Sequence, residues 1–392
     1  MPDNLPGQLP IRCTIMRAGT SKGLYFHEED LPAAGPSRDA VLRRLMGSPD
    51  PLQIDGLGGS RLITSKIAII TRSEHPDADV DYTFAQIDPS FDLVAYDANC
   101  GNISAGVGPF AVDEGLVVLS EPVTAVRIFN TNTKKILVAY VPVRGSKAET
   151  EGDFSIPGVP GTGAEVFMDY AGTVGAKTGR MLPTGRVVDE LEIRGYGRIK
   201  VTLCDVGNPV VFVRAEDIGL TATERPSDVD ADAAVIETLR ELRGKAAELI
   251  GFCSDWRDVD NESANLPVVM FVGRPQDCTT VDHRFLTADA MDVVARFVFF
   301  NRCHESMAGT GSVCIAAASR IEGSVVHQVL AAGAPQSGVL RIAHPMGIMT
   351  VQVRACGNPS QPVFERLGFG RTARRIMDGL AYFPQEVLEV QA

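Results

Sequence analysis

The chain has 392 residues, 45% of them hydrophobic and 22% charged, with a formal net charge of −12. That length allows two or three domains with a full hydrophobic core, and the composition excludes disorder, collagen and coiled coil as descriptions of the whole. The acidic balance repels phosphate, so neither nucleic acid nor an anionic membrane is an expected partner, and an acidic substrate has to be held by local features.

Taken in chain order, β-branched runs bounded by Gly, Pro, Asn and Asp predict strands over 11–16, 67–71, 80–86, 123–130, 136–142, 199–204, 210–214, 268–272, 339–342 and 348–353. Helical spacing predicts helices over 38–46, over 227–250 behind Ser-Asp-Val-Asp, and over 289–300. Two further helices, 100–115 and 308–323, look alike: each opens with Gly and a small polar residue, continues with small apolar residues, and closes on a Gly where a C-cap belongs. Their nearly uncharged interiors predict burial on most sides. A polar turn and strand at 20–26 sets itself beside 207–213, so the order of turn, strands and buried helix occurs twice. This is a β-rich α+β pattern of two related domains, divided at 1–184 and 185–392, with a tail able to return to the first domain.

The eight cysteines form no C-x-x-C pair, which excludes a local zinc knuckle and a thioredoxin-type motif and reads as a reduced, cytoplasmic protein. No apolar stretch of about 18 residues suggests a membrane span, and the first ten residues lack the order of a secretory signal.

The residues that could carry chemistry sit at the helix entries and one strand mouth. Cys100 precedes Gly101 and Asn102 at a helix start, where the helix dipole favours a thiolate and free N–H groups can bind a carboxylate. The competing reading is a buried, inert thiol, which is the reading for the other seven cysteines. Lys66, one of only 8 lysines, stands before the apolar run Ile67-Ala68-Ile69-Ile70. It is either a partly desolvated base or an edge lysine with its head in water. The turn 17–23 carries Ser21 and Lys22, which could meet a carboxylate; its spacing is not that of a P-loop. Gly309, Thr310 and Ser312 open the second small-residue helix as another anion nest or as a plain cap. No histidine stands at metal-ligand spacing, so neither metal nor cofactor is expected. A lysine base and a thiol acid, with helix N-termini to hold carboxylates and enolate charge, describe a cofactor-free isomerase, epimerase or tautomerase.

With those residues in view, the chain resembles the PrpF-like family of the diaminopimelate-epimerase fold over nearly its whole length. The resemblance runs through Met16-Arg17-Ala18-Gly19-Thr20-Ser21-Lys22-Gly23, Gln53-Ile54-Asp55-Gly56-Leu57-Gly58-Gly59 and Thr64-Ser65-Lys66. It is most specific at Asn99-Cys100-Gly101-Asn102 and continues in Gly207-Asn208-Pro209, Gly309-Thr310-Gly311, His344-Pro345 and Arg371-Thr372-Ala373. It implies two pseudo-symmetric domains, each a β-barrel-like sheet around a central helix, with the active site between them. It implies Lys66 and Cys100 as the acid/base pair. For a mechanism built on that pair, Ser21, Lys22, Asn102, Gly309, Thr310 and Ser312 are the residues expected to bind carboxylates. Diaminopimelate epimerases use a second cysteine where this chain has Ala308.

The implied substrate is a small unsaturated polycarboxylate. Gln53-Ile54-Asp55-Gly56 and Asp79-Val80-Asp81-Tyr82 look most like the oxalomesaconate branch, from protocatechuate 4,5-cleavage in lignin-aromatic degradation. The expected reaction is a 1,3-allylic double-bond shift of 4-oxalomesaconate, with keto–enol tautomerisation or isomerisation of 2-methylaconitate or aconitate as alternatives. A stabilising partner of an aconitase-like dehydratase and a cysteine hydrolase are the rivals from other classes. The residues leave the oligomeric state open, with a homodimer as the working expectation.

Overall fold

The computed structural model describes residues 5–97 and 99–389. Contacts divide the chain into two compact units, Met1–Phe167 with Arg371–Ala392, and Met168–Gly370. The boundary falls earlier than in the 1–184/185–392 division, and the tail lies with the first unit, the return that the sequence reading allowed; each has a physical reason. Residues 173–181 are tied to a strand of the second unit: Gly175 N–H donates to Asp205 O at 2.8 Å, and Asp205 N–H donates to Met181 O at 2.8 Å. The last strand, Ala373–Pro384, pairs antiparallel with the first strand of the chain, from Gln8↔Pro384 to Ala18↔Ala373.

In the first unit, β1 (Gln8–Ala18) and β2 (Ser21–His27) form a hairpin, and β2 runs parallel to β3 (Lys66–Arg72). β3 pairs antiparallel with β4 (Val80–Ile87), which runs parallel to β5 (Val123–Asn130), and β5 closes a hairpin with β6 (Lys135–Arg144). Helix α1 (Pro36–Met46) packs Leu42 and Leu45 on Leu24, Phe26, Ile67 and Ile69. Helix α2 (Gly101–Asp113) is buried along almost its whole length and lies against β1 through β6. A helix apolar on every side has to be enclosed, and its Gly and Ala residues keep it thin enough for strands on several sides.

The second unit repeats this order. β7 (Asp189–Ile193) flanks β8 (Gly197–Val206), which forms a hairpin with β9 (Asn208–Arg214). After the helices α3 (Pro226–Ala231) and α4 (Ala233–Leu249), β10 (Val268–Gly273) runs parallel to β9 and antiparallel to β11 (Val293–Phe299). Helix α5 (Gly309–Ala318) is wholly buried and lies against β8 and β9. β12 (Val339–His344) runs parallel to β11 and forms a hairpin with β13 (Gly347–Asn358), which pairs with β14 (Gln361–Arg371). Hairpin, parallel step, hairpin, buried helix, parallel step and hairpin therefore occur once in each unit.

Some elements differ from the sequence expectation. The segment 289–300 is not a helix: after a 3-10 turn at Ala288–Ala290 it forms the strand β11; every residue from Val293 to Val298 is buried, and a short continuous apolar run carries no period to separate the two forms. The helix expected over 227–250 breaks at Asp232, whose carboxylate caps α4 by accepting from Ala234 N–H at 2.9 Å and Val235 N–H at 3.2 Å. Gly115 follows α2 with φ +66°, as a capping glycine should, whereas α5 stops at Ala318 and Gly323 lies beyond its end. Among the described residues, no helix is long and apolar enough to cross a membrane.

One close approach sets the position of β3. A Cβ on Gly23 would fall 2.5 Å from the Lys66 carbonyl oxygen and 3.1 Å from Ile103 Cδ1. Gly23→Ala is therefore expected to cost about 1–3 kcal/mol by overpacking, read as a lower Tm.

Candidate active site

Lys66 opens β3, with Gly23 of β2 beside it on one edge and Gln86 of β4 on the other. A central strand buries its side chains, and Lys66 is only 5% exposed. Its Nζ donates to Cys100 Sγ at 3.1 Å and stands 6.0 Å from the centroid of the Phe84 ring. The edge-lysine reading of the sequence is thereby overturned.

Cys100 is the N-cap of α2 (φ −118°, ψ 106°) and is 7% exposed. Its carbonyl starts the helix by accepting from Ser104 N–H at 2.9 Å, and its side chain makes no cap bond, which leaves the sulfur to Lys66. Tyr25 steadies the same turn, donating its hydroxyl to Ile103 O at 2.7 Å. Burial pushes that phenol well above its ordinary value, with the Cys100 sulfur adding to the effect, so Tyr25 remains a neutral donor.

Asn102, the second residue of α2, is held from two sides. Its Nδ2 donates to Thr20 Oγ1 at 3.1 Å, and its Oδ1 accepts from Arg371 Nε at 3.0 Å. Gly19 makes the turn possible: its φ is +53°, and a Cβ there would fall 2.2 Å from Asn102 Oδ1. Gly19 N–H donates to Thr372 O at 3.0 Å, and Arg17 donates to both the carbonyl and the hydroxyl of Thr372, the latter at 2.8 Å. Burial, with Arg374 nearby, lowers the Arg17 guanidinium from its ordinary value. Ser21 opens β2, buried, and its hydroxyl has no hydrogen-bond partner among the described residues. Lys22 follows it, half-buried and in register with Arg17. Lys66, Cys100 and Asn102 are thus brought to one helix entry.

In the second unit, Gly309, Thr310 and Ser312 are all buried in the first turn of α5. Asn208 Nδ2 donates to Thr310 Oγ1 at 3.3 Å. The first unit makes the same turn-to-helix bond with the residues exchanged, Thr20 on the turn and Asn102 on the helix. The structural equivalence thus sets Gly19 on Gly207 and Thr20 on Asn208, one residue away from the pairing read in the sequence. Ser312 Oγ donates to Gly309 O at 2.8 Å, so its hydroxyl proton is engaged within its own helix. Cys314 lies in the core, donating to Cys204 O at 3.3 Å, as the sequence suggested. Among the described residues, no three His, Cys, Asp or Glu side chains cluster as they would around a metal.

Tyr25, Arg17 and Arg371 were not singled out from the sequence as site residues. Arg371 bonds a residue 269 positions away, which no local pattern can reveal. The available signal was its place in the run Arg371-Thr372-Ala373.

Comparison with known proteins then fixes the family, because the PrpF protein family matches residues 8–384. The chain belongs to it. A 3-methylitaconate isomerase of Eubacterium barkeri is 45% identical over 96% of this chain and 97% of its own. A 4-oxalomesaconate tautomerase of Pseudomonas putida is 41% identical over 95% and 96%. The crystal structure of a methylitaconate-delta-isomerase matches with a TM-score of 0.80 at 44% identity, over 97% of both chains. A hydroxyproline epimerase structure, 14% identical with a TM-score of 0.55 over 96% and 93%, shares the fold alone. The protein is a PrpF-family isomerase with a racemase/epimerase-type fold.

The thiols should separate by environment. Burial pushes Cys13 and Cys303 up to about 12 and Cys314 well above its ordinary value. These three are then protonated at pH 8 and should resist iodoacetamide until the protein unfolds, whereas exposed Cys356 reacts in the native state. Peptide mapping with and without denaturant checks this.

Proposed function

We propose that the chain moves a double bond across a three-carbon allylic unit of a small unsaturated polycarboxylate, without a cofactor, using Lys66 and Cys100 to take and return the proton. The observation that carries this reading is the 3.1 Å contact of Lys66 Nζ with Cys100 Sγ at the N-terminus of a buried helix. The neutral amine of Lys66 removes a proton from the carbon next to a carbonyl or carboxylate, and the C–H electron pair enters a dienolate. The Cys100 thiol gives its proton to the far carbon, and the double bond has moved. Lys66 is left as an ammonium and Cys100 as a thiolate, and proton transfer across their contact restores both. The two residues can exchange these roles for a substrate bound in the opposite sense.

Binding rests on groups that suit carboxylates. The first N–H groups of α2 carry the positive end of its dipole and can also hold dienolate charge. Ser21 offers a buried hydroxyl with no other partner among the described residues, Lys22 a cation, and Asn102 an amide fixed in orientation by Thr20 and Arg371. Gly309 and Thr310 would supply a second carboxylate site through backbone N–H groups; Ser312 donates its N–H to Ala308 O at 2.9 Å and its hydroxyl to Gly309 O at 2.8 Å, so it shapes that helix entry instead of donating to the substrate.

The narrower reading takes 4-oxalomesaconate as substrate and aromatic catabolism as its setting. The tautomerase relative supports that substrate, and the methylitaconate relative, of higher identity, supports the allylic shift as the reaction. The two paired side chains favour catalysis over a purely stabilising role.

The test is proton NMR of the purified protein with 4-oxalomesaconate, 3-methylitaconate and 2-methylaconitate in turn. A moved double bond in at least one is expected, and keto–enol exchange alone with 4-oxalomesaconate would replace the allylic reading by the tautomerase. Cys100→Ala and Lys66→Met should each lower kcat on the order of 10²- to 10⁴-fold, as removal of a general acid or base does. Full turnover by either variant overturns the site assignment.

A further inference from the structure

We infer that the turn 130–133 is the device that sets the position of the Cys100 sulfur, with Asn130 as its positioning residue; this rests on the roles proposed for Lys66 and Cys100. Asn130 ends β5 and is fully buried. Its Oδ1 accepts from Thr133 N–H and Thr133 Oγ1, each at 2.8 Å, which fixes the amide so that Nδ2 points the other way. That Nδ2 donates to Asn99 Oδ1 at 3.3 Å and to Asn132 Oδ1 at 3.2 Å. Asn99 immediately precedes Cys100, and its Oδ1 also meets Ser104 Oγ at 3.1 Å, while Ser104 Oγ lies 2.8 Å from Cys100 O. The residue before the thiol and the carbonyl of the thiol residue are therefore held by one chain of hydrogen bonds that starts at Asn130.

The same turn holds the other end of the loop and the wall beside the lysine. Asn132 Nδ2 donates to Tyr96 O at 2.8 Å, four residues before Cys100, and to Phe84 O at 2.9 Å. Phe84 N–H donates back to Asn132 Oδ1 at 2.8 Å, so this side chain pairs with β4 as a strand would. The Phe84 ring is the one beside Lys66 Nζ. One short turn therefore ties both ends of the thiol loop to the strand that walls the lysine. Positioning of this kind acts on the reacting geometry, where displacement on the order of 1 Å can cost about 100-fold in rate.

Asn130→Asp keeps the shape and the acceptor for Thr133 but removes the donor to Asn99 and Asn132. Its kcat is expected to fall on the order of 10- to 100-fold, with KM within about twofold, because the lost geometry matters to the transition state and not to ground-state binding. Thr133→Ala is the matched control: it removes one bond to Asn130 Oδ1 yet leaves both Nδ2 bonds, so its Tm should drop while kcat stays within about threefold of the parent. Should Asn130→Asp fail to fold, Asn99→Ala interrogates the same bond from the thiol side, with the same expected fall in kcat at constant KM. Wild-type kcat in a folded Asn130→Asp or Asn99→Ala, alongside an inactive Cys100→Ala, overturns the positioning role and leaves the catalytic pair standing. An equal fall in kcat for Thr133→Ala and Asn130→Asp at equal Tm loss also overturns it, since general loosening would then explain both. Full activity in Cys100→Ala overturns the underlying assignment instead.

Discussion

A lysine and a thiol in contact inside an apolar fold are expensive to maintain. Each loses water on burial, and the contact between them returns that cost only if it is held at close range. The 3.1 Å separation of Lys66 Nζ and Cys100 Sγ is therefore a constraint that the rest of the first unit serves. The lysine sits on a central strand with partners on both edges, so its backbone cannot drift. The cysteine sits at a helix entry, where the backbone turns and the side chain is free of capping duty. Gly23 lets the neighbouring strand come close enough for both to meet, and Tyr25 holds the first helical turn from beneath.

The repeated architecture explains why such a pair can be built here. Each unit wraps hairpins and parallel steps around one apolar helix and ties the helix start to the first hairpin with an Asn–Thr bond. The two units use opposite assignments of those residues, Thr20 with Asn102 and Asn208 with Thr310. The bond is conserved between the repeats while the side chains that make it are not, which points to the geometry of the helix entry as the retained feature. What the repeats do not share is chemistry. The first helix carries Cys100 at its N-cap, and the second carries Ala308 there.

How much of this was legible in the sequence follows the range of the interaction. Local periodicity carried β4 and β5: Val80, Tyr82 and Phe84 face inward along one, and Val126, Ile128 and Asn130 along the other. It failed at β11, where burial on both faces erases the alternation. It also passed over β14 and the strand 373–384, where Arg371, Arg374, Arg375 and Asp378 with Gly368 and Gly379 obscure a strand pattern. Cys100 and Lys66 could be proposed from residue type and local setting, but their pairing across 34 residues came from the family resemblance and not from any local pattern. The Arg371–Asn102 bond and the Asn130 turn are long-range and polar, and nothing in a local window marks them.

The measurement that tests the central claim most directly is a single turnover of the accepted polycarboxylate in D2O, with the enzyme pre-equilibrated in the same solvent. Two groups sharing the proton transfer predict that the hydrogen removed by one is not the hydrogen returned by the other. The receiving carbon of the product should therefore carry deuterium in nearly every molecule, as NMR or mass spectrometry would show. Protium carried intact from the donor carbon to the receiving carbon would contradict a Lys66–Cys100 relay.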